Sequence, residues 1–429
     1  MNKPAKFKLL PLIDRSSMVL SILMLTGGVE FIKILAVIAY PTSIGFLLLY
    51  WKKTIWTVIQ EKWFWLYLGL IIVSLSWSVD LEVSLYSTLK LVGTLLIGIS
   101  FAVRYHLKDQ LNILAWTFGI SAILSLVYGL VLPEQGIMAG SSLQGAWSGI
   151  YGHKNVLGRM MVMSSMVFFL SAISSFQYRW LLRSFLALSI VLVILSTSKT
   201  ALVVLITLLV LFPLYRALRW SYSLVIPFFS IVIIAVSIVC LLLVSRLDYI
   251  FAALGKDATL TGRIPLWELV ITKIAERPWL GYGYDGFWSG SHGEANDIFL
   301  QLRLIDLNWE AAHSHNGFLD MWLAFGLVGL VIATLTFFSI LLRSLACIHS
   351  TNSAYGFWSL WYLTFLFLIS VTESNMNSFA IYWAFNIAIA ISTHRKVLNF
   401  ECQAIAESCI EPDSSTNLIE NNSRSNVRT

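Results

Sequence analysis

The sequence predicts an all-α, polytopic membrane protein with about twelve transmembrane helices and one large extracytoplasmic loop that contains short helices. Apolar residues make up 58% of the 429 residues and charged residues only 12%, whereas roughly a quarter of the residues of a soluble domain are charged. Apolar segments of spanning length recur along the chain, and one long polar segment, 245–316, interrupts them. Together these observations indicate an integral membrane protein built around one loop.

A spanning helix needs about 20 apolar residues, or slightly fewer where flanking side chains snorkel. The segment 222–244 is the strongest candidate, because Leu, Ile, Val and Phe dominate it and each favours insertion by roughly 0.3–0.6 kcal/mol. Lysines precede the first and shortest segment, as in a signal peptide, but 25–30 lacks a small-x-small cleavage pattern, which favours a retained span. The twelve predicted spans are 16–28, 31–50, 63–78, 83–103, 110–132, 155–175, 180–197, 200–215, 222–244, 317–342, 355–372 and 377–393.

The distribution of charge predicts the orientation. Most of the 29 Lys and Arg residues lie in alternate segments between spans, and the opposite short loops near Asp80, Glu82 and Glu373 are acidic. The positive-inside rule then places both termini in the cytoplasm and the large loop outside. We expect one integral membrane domain over 1–398 and a polar, disordered cytoplasmic tail over 399–429.

Several classes of function are disfavoured. The four cysteines, Cys240, Cys347, Cys402 and Cys409, lie in predicted spans or the tail without metal-ligand spacing, so neither a disulfide framework nor a zinc site is expected. The net charge of +6 comes from dispersed residues and not from a basic stripe, which argues against nucleic acid as a partner. Membrane lipid is the partner that this composition does predict.

The large loop contains an amphipathic helix. Apolar residues recur at helical spacing from Pro265 to Arg277, and Pro278 ends the pattern. Arg263 lies just before this helix, where amide donors and the helix dipole favour an anion. Two other interpretations of Arg263 remain: it anchors to lipid headgroups, or it pairs with an acidic residue of the loop, Asp257 or Glu268.

The segment 278–288 is rich in glycine and aromatic residues. Aromatic faces stack on sugar rings, and nearby polar groups hydrogen-bond hydroxyls. Trp and Tyr also form interfacial belts and pack loops. For most of these aromatic residues, the belt or loop-packing interpretation is favoured.

His313, His315 and Asn316 lie where the loop returns to the membrane. Histidine is suited to acid–base chemistry near neutral pH. Histidines at i and i+2 do not face each other on a helix, which disfavours a metal site here. A single interfacial histidine is often only hydrogen-bonded, but a pair followed by Asn316 and a glycine-punctuated span favours a functional role, with His313 and Asn316 as candidate substrate-binding residues.

Two shorter polar segments are predicted on the same outer side. One carries His153, Lys154 and Asn155 at the start of a span, and the other is a tight turn with Lys199. Ionisable groups at membrane depth are costly and are therefore candidates for substrate binding. The alternative is that the lysines snorkel to the interface.

The ordered combination of these motifs resembles the O-antigen ligase and Wzy polymerase superfamily. The resemblance rests on the Thr-Gly-Arg-Ile-Pro-Leu-Trp run at 261–267, the segment 276–283, and His315-Asn316. The segment 77–84 and the Gly-His-Lys-Asn-x-x-Gly motif at 152–158 are most similar to its exopolysaccharide-production branch, the ExoQ-type proteins. The similarity covers roughly residues 70–395.

The resemblance implies an inverting, metal-independent glycosyltransferase of the bacterial plasma membrane that needs no cofactor. Its donor and acceptor are polyprenyl-diphosphate-linked oligosaccharides on the outer face. His315 corresponds to the general base, and Arg263 and Lys199 to diphosphate-binding residues. The family more usually has arginine at the position of Lys199, and lysine lacks the bidentate fork.

These inferences favour polymerisation of lipid-linked repeat units, with a flippase and a chain-length regulator as expected partners. The first alternative is a ligase that moves a finished glycan to another lipid or protein acceptor. The second is a lipid-glycan transporter. Few charges in the spans and no evident repeat argue against transport.

Overall fold

The protein was analysed as a computed structural model. The structure describes residues 6–28, 34–139, 145–219, 223, 263–289, 294–305, 311–349, 353–374 and 381–395. Apart from residue 223, the predicted span 222–244 lies outside these residues, as do the start of the large loop and the predicted tail 399–429. Within the described residues the fold is helical throughout, with one isolated β-bridge between Ile137 and Trp147 and no strand.

The helices follow one another through short connections, as the apolar periodicity predicts. A 3₁₀ turn, Leu75–Trp77, follows the helix Lys62–Ser74, and another, Ala354–Phe357, precedes the helix Trp358–Thr372. The helices are α1 Lys6–Leu25, α2 Ala36–Leu49, α3 Trp51–Ile59, α4 Lys62–Ser74, α5 Leu81–Arg104, α6 Leu107–Val131, α7 Pro133–Gly136, α8 Lys154–Ser174, α9 Arg179–Leu195, α10 Lys199–Leu218, α11 Arg263–Glu276, α12 Ala295–Leu304, α13 Gly317–His349, α14 Trp358–Thr372 and α15 at 381–395.

Six helical segments of the described part are long and apolar enough to cross a membrane: those built on α5, α6, α8, α10, α13 and α14. A seventh becomes possible if α3 and α4 count together, but they are bent by 90°. These helices confirm an all-α protein with several membrane-spanning segments. The total of twelve spans stays a prediction.

The helix boundaries differ from the predicted ones where polar residues extend a helix. The first helix begins at Lys6 and not near residue 16, and the predicted span 317–342 extends to His349. The predicted span 31–50 is only the helix Ala36–Leu49, and a separate helix, α3, begins at Trp51. Hydropathy marks the apolar centre of a helix but does not mark its ends.

The α8 helix is the centre of the bundle. Its side chains are buried on nearly all sides, and it packs against α6, α9, α10 and α14. A helix without a distinct polar face is expected in such a position, because no face needs water. The segment before α8 and the residue after α14 are therefore held against the same core.

The aromatic segment of the loop is attached to α13 at a break in that helix. Gly326 has φ 63° and ψ −165°, and Leu327 N–H donates to Pro278 O at 2.8 Å. Tyr282 N–H donates to Leu323 O, and Gly283 N–H to the next carbonyl, each at 2.9 Å. These backbone bonds hold the loop in place over the end of the bundle.

The large loop has a small core of its own. The helices α11 and α12 lie in the segment predicted to be the large loop, and they pack Leu266, Val270 and Ile298 against Tyr282 and Phe287. The buried positions of Tyr282 and Phe287 agree with the loop-packing interpretation of the aromatic segment. In contrast, Trp279 is 66% exposed and is available for other contacts.

We predict that Gly326→Ala destabilises the protein by about 1–3 kcal/mol, because the residue has a positive φ. A Cβ there would also lie 2.1 Å from the carbonyl carbon of Trp279. The control is Gly69→Ala in α4, where a Cβ meets nothing within 4 Å and helix propensity favours alanine by roughly 0.5–1 kcal/mol. Melting temperatures of the purified proteins in detergent test this. Equal melting temperatures for the two variants would contradict the proposed close contact.

Candidate functional site

A buried carboxylate, that of Glu373, lies directly after α14 and joins four parts of the chain. Its Oε1 accepts hydrogen bonds from Asn155 Nδ2 at 3.1 Å and from Arg263 Nη2 at 3.3 Å. Its Oε2 faces His315 Nδ1 at 3.6 Å and Arg159 Nη1 at 4.0 Å. The structure thus brings Asn155, Arg263 and His315 together around one acidic group.

The segments with Asn155 and Lys199 also meet. His153 Nδ1 accepts a hydrogen bond from Asn155 N–H at 3.2 Å, which caps α8. Ser198 caps α10, and its hydroxyl donates to Asn155 Oδ1 at 3.1 Å. The two predicted polar segments are therefore linked through the side chain of Asn155.

Arg263 is the first residue of α11, and its guanidinium reaches the end of α14. Besides Glu373, it donates through Nη1 to Thr372 O at 2.9 Å. Its observed acidic partner is therefore neither Asp257, which lies outside the described residues, nor Glu268. The indole of Trp267 donates to Ser314 O at 2.8 Å and connects α11 to the histidine turn.

The histidines lie in a turn before α13. His315 has φ 56°, and its N–H donates to His313 Nδ1 at 3.1 Å. Asn316 Oδ1 accepts from the N–H groups of Phe318 and Leu319 at 3.0 and 3.2 Å. Its observed contacts are thus those of a helix cap. The substrate-binding role predicted for Asn316 stays a prediction.

The arrangement concentrates positive potential on one face. The N-termini of α8, α10, α11 and α13 all adjoin the contacts around Glu373, and each helix N-terminus carries a partial positive charge. Lys154 is half-buried and Lys199 is exposed. Neither lysine pairs with a carboxylate among the described residues. This face can therefore hold an anion with several oxygens.

The ionisation of the cluster is set by competing effects. Burial alone would raise the pKa of the Glu373 carboxyl, but its contact with His315 and the charges of Arg159 and Arg263 lower that pKa to about 2. Burial and the neighbouring positive groups lower the pKa of His313 to about 3. Near neutral pH the cluster therefore contains an ionised glutamate and a neutral His313.

The two histidines were expected not to face each other, and this expectation was wrong. Their rings lie 4.2 Å apart because residues 313–316 form a turn and not a helix. Ligand atoms of His313, His315 and Glu373 all lie within 4.8 Å of one another. The guanidinium groups of Arg159 and Arg263 beside the same carboxylate repel a divalent cation, so the electrostatics do not favour a metal here.

Two central residues were missed by sequence reasoning. Glu373 was used only as evidence for orientation, and Arg159 was not singled out. Arg159 lies within the predicted span 155–175 and is 4% exposed in the structure. A charged side chain inside a spanning segment is itself a sign of function, and that sign could have identified Arg159. Nothing local in the sequence shows that Glu373 meets Arg263.

An apolar cavity of about 230 Å³ opens beside the cluster. Its lining includes Gly317 and Ser370, which are close in sequence to His315 and Glu373. Phe318 and Phe337 each pack a ring against Phe367 along its wall. Other lining residues are Phe64, Met321, Ala333, Leu366 and Trp383.

The fold and the cluster define a polytopic helical membrane protein with a buried charged site beside an apolar cavity. The family model described as O-antigen ligase (Wzy_C) matches residues 184–334, a stretch that contains Lys199, Arg263 and His315. The exopolysaccharide production protein ExoQ of Rhizobium meliloti (strain 1021) is 32% identical over 100 residues. That segment is 23% of this chain and 22% of the relative. The resemblance to the O-antigen ligase and Wzy superfamily, and to its ExoQ-type branch, is confirmed.

We predict that His313 lowers the free energy of unfolding as the pH decreases. The histidine pKa is 6.5 before folding and about 3 in the folded protein, so the unfolded chain binds the extra proton between these values. Stability is therefore highest above pH 6.5 and decreases toward pH 3, with a limiting slope of about 1.4 kcal/mol per pH unit for one proton. Melting temperatures between pH 8 and pH 4 should show a shallower decrease in His313→Gln than in the wild type. The exposed His106→Gln serves as control, and a slope unchanged by His313→Gln counts against a neutral, buried His313.

Proposed function

We propose that the protein polymerises polyprenyl-diphosphate-linked oligosaccharide repeat units into an exopolysaccharide or O-antigen-like glycan. The cluster of Glu373, Arg263 and His315 beside an apolar cavity carries this proposal. The reaction takes place on the outer face of the bacterial plasma membrane, in a chain with twelve spans and cytoplasmic termini. The family match and the ExoQ relative support the glycan chemistry.

The donor diphosphate lies, in this proposal, where the four helix N-termini meet. Arg263 and Lys199 are the principal cations, and Lys154 contributes from the start of α8. Arginine offers paired N–H donors to phosphate oxygens, whereas lysine acts as a point charge. As the diphosphate leaves, negative charge grows on its oxygens, and fixed cations stabilise this charge more effectively than water does. His153 and Asn155 hold α8 in register with α10 at this position.

His315 acts as the general base. The ionised Glu373, whose Oε2 lies 3.6 Å from His315 Nδ1, favours the imidazole tautomer with its proton on Nδ1 and so leaves Nε2 able to accept a proton. The acceptor hydroxyl oxygen attacks the anomeric carbon, its proton passes to His315 Nε2, and the C–O bond to the diphosphate breaks with its electron pair on the diphosphate. Attack opposite the leaving group inverts the anomeric centre. His313 supports the turn by accepting the N–H of His315.

The apolar cavity accommodates the first part of the donor's lipid tail. Its wall is formed by aromatic and aliphatic side chains of α4, α13, α14 and α15, and it starts within one helical turn of the charged cluster. A lipid diphosphate likewise has a charged diphosphate group followed by an apolar tail. The alignment of the polar and apolar regions therefore supports a lipid-linked donor over a free nucleotide sugar.

A ligase that transfers a finished glycan to another acceptor uses the same donor chemistry, and its acceptor contacts would lie in the loops. The exopolysaccharide production protein among the relatives favours polymerisation. A transporter is a weaker alternative, because the sequence has few charges in its predicted spans and no evident repeat. Reconstituted protein with lipid-linked repeat units separates these functions: a polymerase gives a ladder of longer glycans, a ligase requires a second acceptor, and a transporter makes no glycosidic bond.

We expect His315→Ala to lower the rate of glycan elongation by about 10²- to 10⁴-fold, the usual contribution of a general base. The exposed His106→Ala is the matched control and should keep the wild-type rate. The assay follows ladder formation by purified protein at a saturating donor concentration. Full activity in His315→Ala would falsify the assignment of His315 as the base.

Glu373→Gln tests the positioning role separately. Loss of the negative charge beside the imidazole destabilises the imidazolium, so the acidic limb of the pH–rate profile should move to lower pH as the rate falls. A purely structural role would reduce the amount of active protein without moving that limb. An unchanged profile therefore excludes electrostatic coupling between Glu373 and His315.

A cavity-filling variant tests the lipid site. Ala333 lines the cavity, whereas the neighbouring Leu335 does not. We expect Ala333→Phe to raise KM several-fold for a long-tailed donor and much less for a donor with a short tail, because only the long tail needs the filled volume. Leu335→Phe should leave both KM values unchanged. Equal effects of Ala333→Phe on the two donors would show that the tail binds elsewhere.

A further inference from the structure

We propose that α3 is an interfacial helix that binds anionic lipid headgroups at the membrane face opposite the charged site. The proposal is independent of the reaction. It rests on the side chains that α3 exposes, on its angle to α4, and on a buried ion pair at the corner between the two helices.

The exposed residues of α3 include large apolar side chains and lysines. Trp51 and Trp56 are 54% and 60% exposed, and Ile55 and Ile59 are 48% and 64% exposed. Lys52 and Lys53 are also exposed. Water alone is a poor environment for two tryptophans and two isoleucines, and hydrocarbon alone is a poor one for two lysines. The interface between them suits both sets of side chains.

The direction of α3 fits a position in the membrane plane. It is bent by 90° from the helical stretch that begins at Lys62. The other end of that stretch meets the large loop, where Tyr284 N–H donates to Ser74 Oγ at 3.3 Å. The C-terminal end of α4 is therefore on the side of the charged site, and its N-terminal end is on the opposite side of the membrane. Because α3 is perpendicular to α4 at this N-terminal end, α3 lies along the opposite membrane surface.

The corner is held by a buried carboxylate, that of Glu61. Arg343 donates to Oε1 at 2.6 Å and to Oε2 at 2.9 Å, and His394 Nδ1 lies 2.9 Å from Oε1. Trp65 Nε1 also donates across the bend to Val58 O at 2.7 Å. Arg343 belongs to α13, His394 to α15 and Trp65 to α4, so three elements determine the direction of α3.

Within α3, the side chains of Ile55 and Lys53 leave the helix in nearly opposite directions. Successive helical residues are about 100° apart, which places Ile55 and Lys53 about 160° apart around the axis. The ammonium of Lys52 lies 5.7 Å from the ring centre of Trp51, so its stem can follow the apolar side while the charge reaches the headgroups. A lysine near an anionic membrane surface strengthens binding by about fivefold. Two lysines on one short helix therefore favour anionic over zwitterionic lipid.

Spin labels test the position of α3. Nitroxides are placed at Ile55→Cys and at Lys53→Cys in full-length protein without the four native cysteines, reconstituted in bilayers. The label at 55 should be more accessible to oxygen, which dissolves in lipid, and the label at 53 more accessible to a water-soluble nickel chelate. Equal accessibility at both positions overturns the interfacial placement.

A local fluorophore tests the lipid preference. Bimane at Ile59→Cys should be quenched more by brominated phosphatidylglycerol than by brominated phosphatidylcholine at equal mole fraction. Lys52→Gln with Lys53→Gln should reduce the ratio of the two quenching constants at least threefold. Bimane at Leu335→Cys, a lipid-exposed position on α13, is the control and should show no preference. Equal quenching by both lipids at position 59 overturns the anionic-lipid proposal.

Discussion

The buried carboxylate of Glu373 is the group on which the arrangement of the site depends. A buried negative charge costs several kcal/mol unless it is paired and hydrogen-bonded, and here the amide of Asn155 and the guanidinium of Arg263 bond one oxygen while His315 and Arg159 face the other. These partners come from α8, from the start of α11 and from the turn before α13. Without the carboxylate, two guanidinium groups would lie close together with no compensating charge. The same group therefore stabilises the fold and determines where the site residues point.

The α13 helix is anchored at both ends by a glutamate from elsewhere in the chain. At its beginning the histidine turn faces Glu373, and near its end Arg343 forms two hydrogen bonds with Glu61. Between these points the helix is broken at Gly326, and the backbone on either side of the break is hydrogen-bonded to the aromatic segment of the loop. The position of the loop and the corner at α3 are therefore connected through one helix whose two ends are held by buried charge.

The sequence predicted the helices better than the contacts between them. Apolar periodicity located most described helices, because burial in lipid or in the bundle requires it, and the resemblance selected Arg263 and His315. It could not show that these two residues share Glu373, since contacts between residues more than fifty positions apart leave no local pattern. The close approach of His313 and His315 was missed because the turn requires a positive φ at a histidine, which few non-glycine residues adopt. The capping contacts of Asn316 were missed for a similar reason: the boundary of α13 had to be known first.

The proposed reaction needs no pair of catalytic carboxylates, because its leaving group is a diphosphate. A glycosidase must protonate a sugar oxygen as the bond breaks and therefore needs an acid as well as a base or nucleophile. A diphosphate leaves as an anion that fixed cations and helix N-termini can stabilise, so an acid is unnecessary and one base is sufficient. This division of labour agrees with a cluster in which the single central carboxylate is buried against arginines. Its low pKa, about 2, keeps Glu373 ionised near neutral pH, so it is a poor proton donor and remains a negatively charged neighbour of the imidazole. In the proposed reaction this carboxylate therefore orients His315, and the histidine is the group that takes the proton.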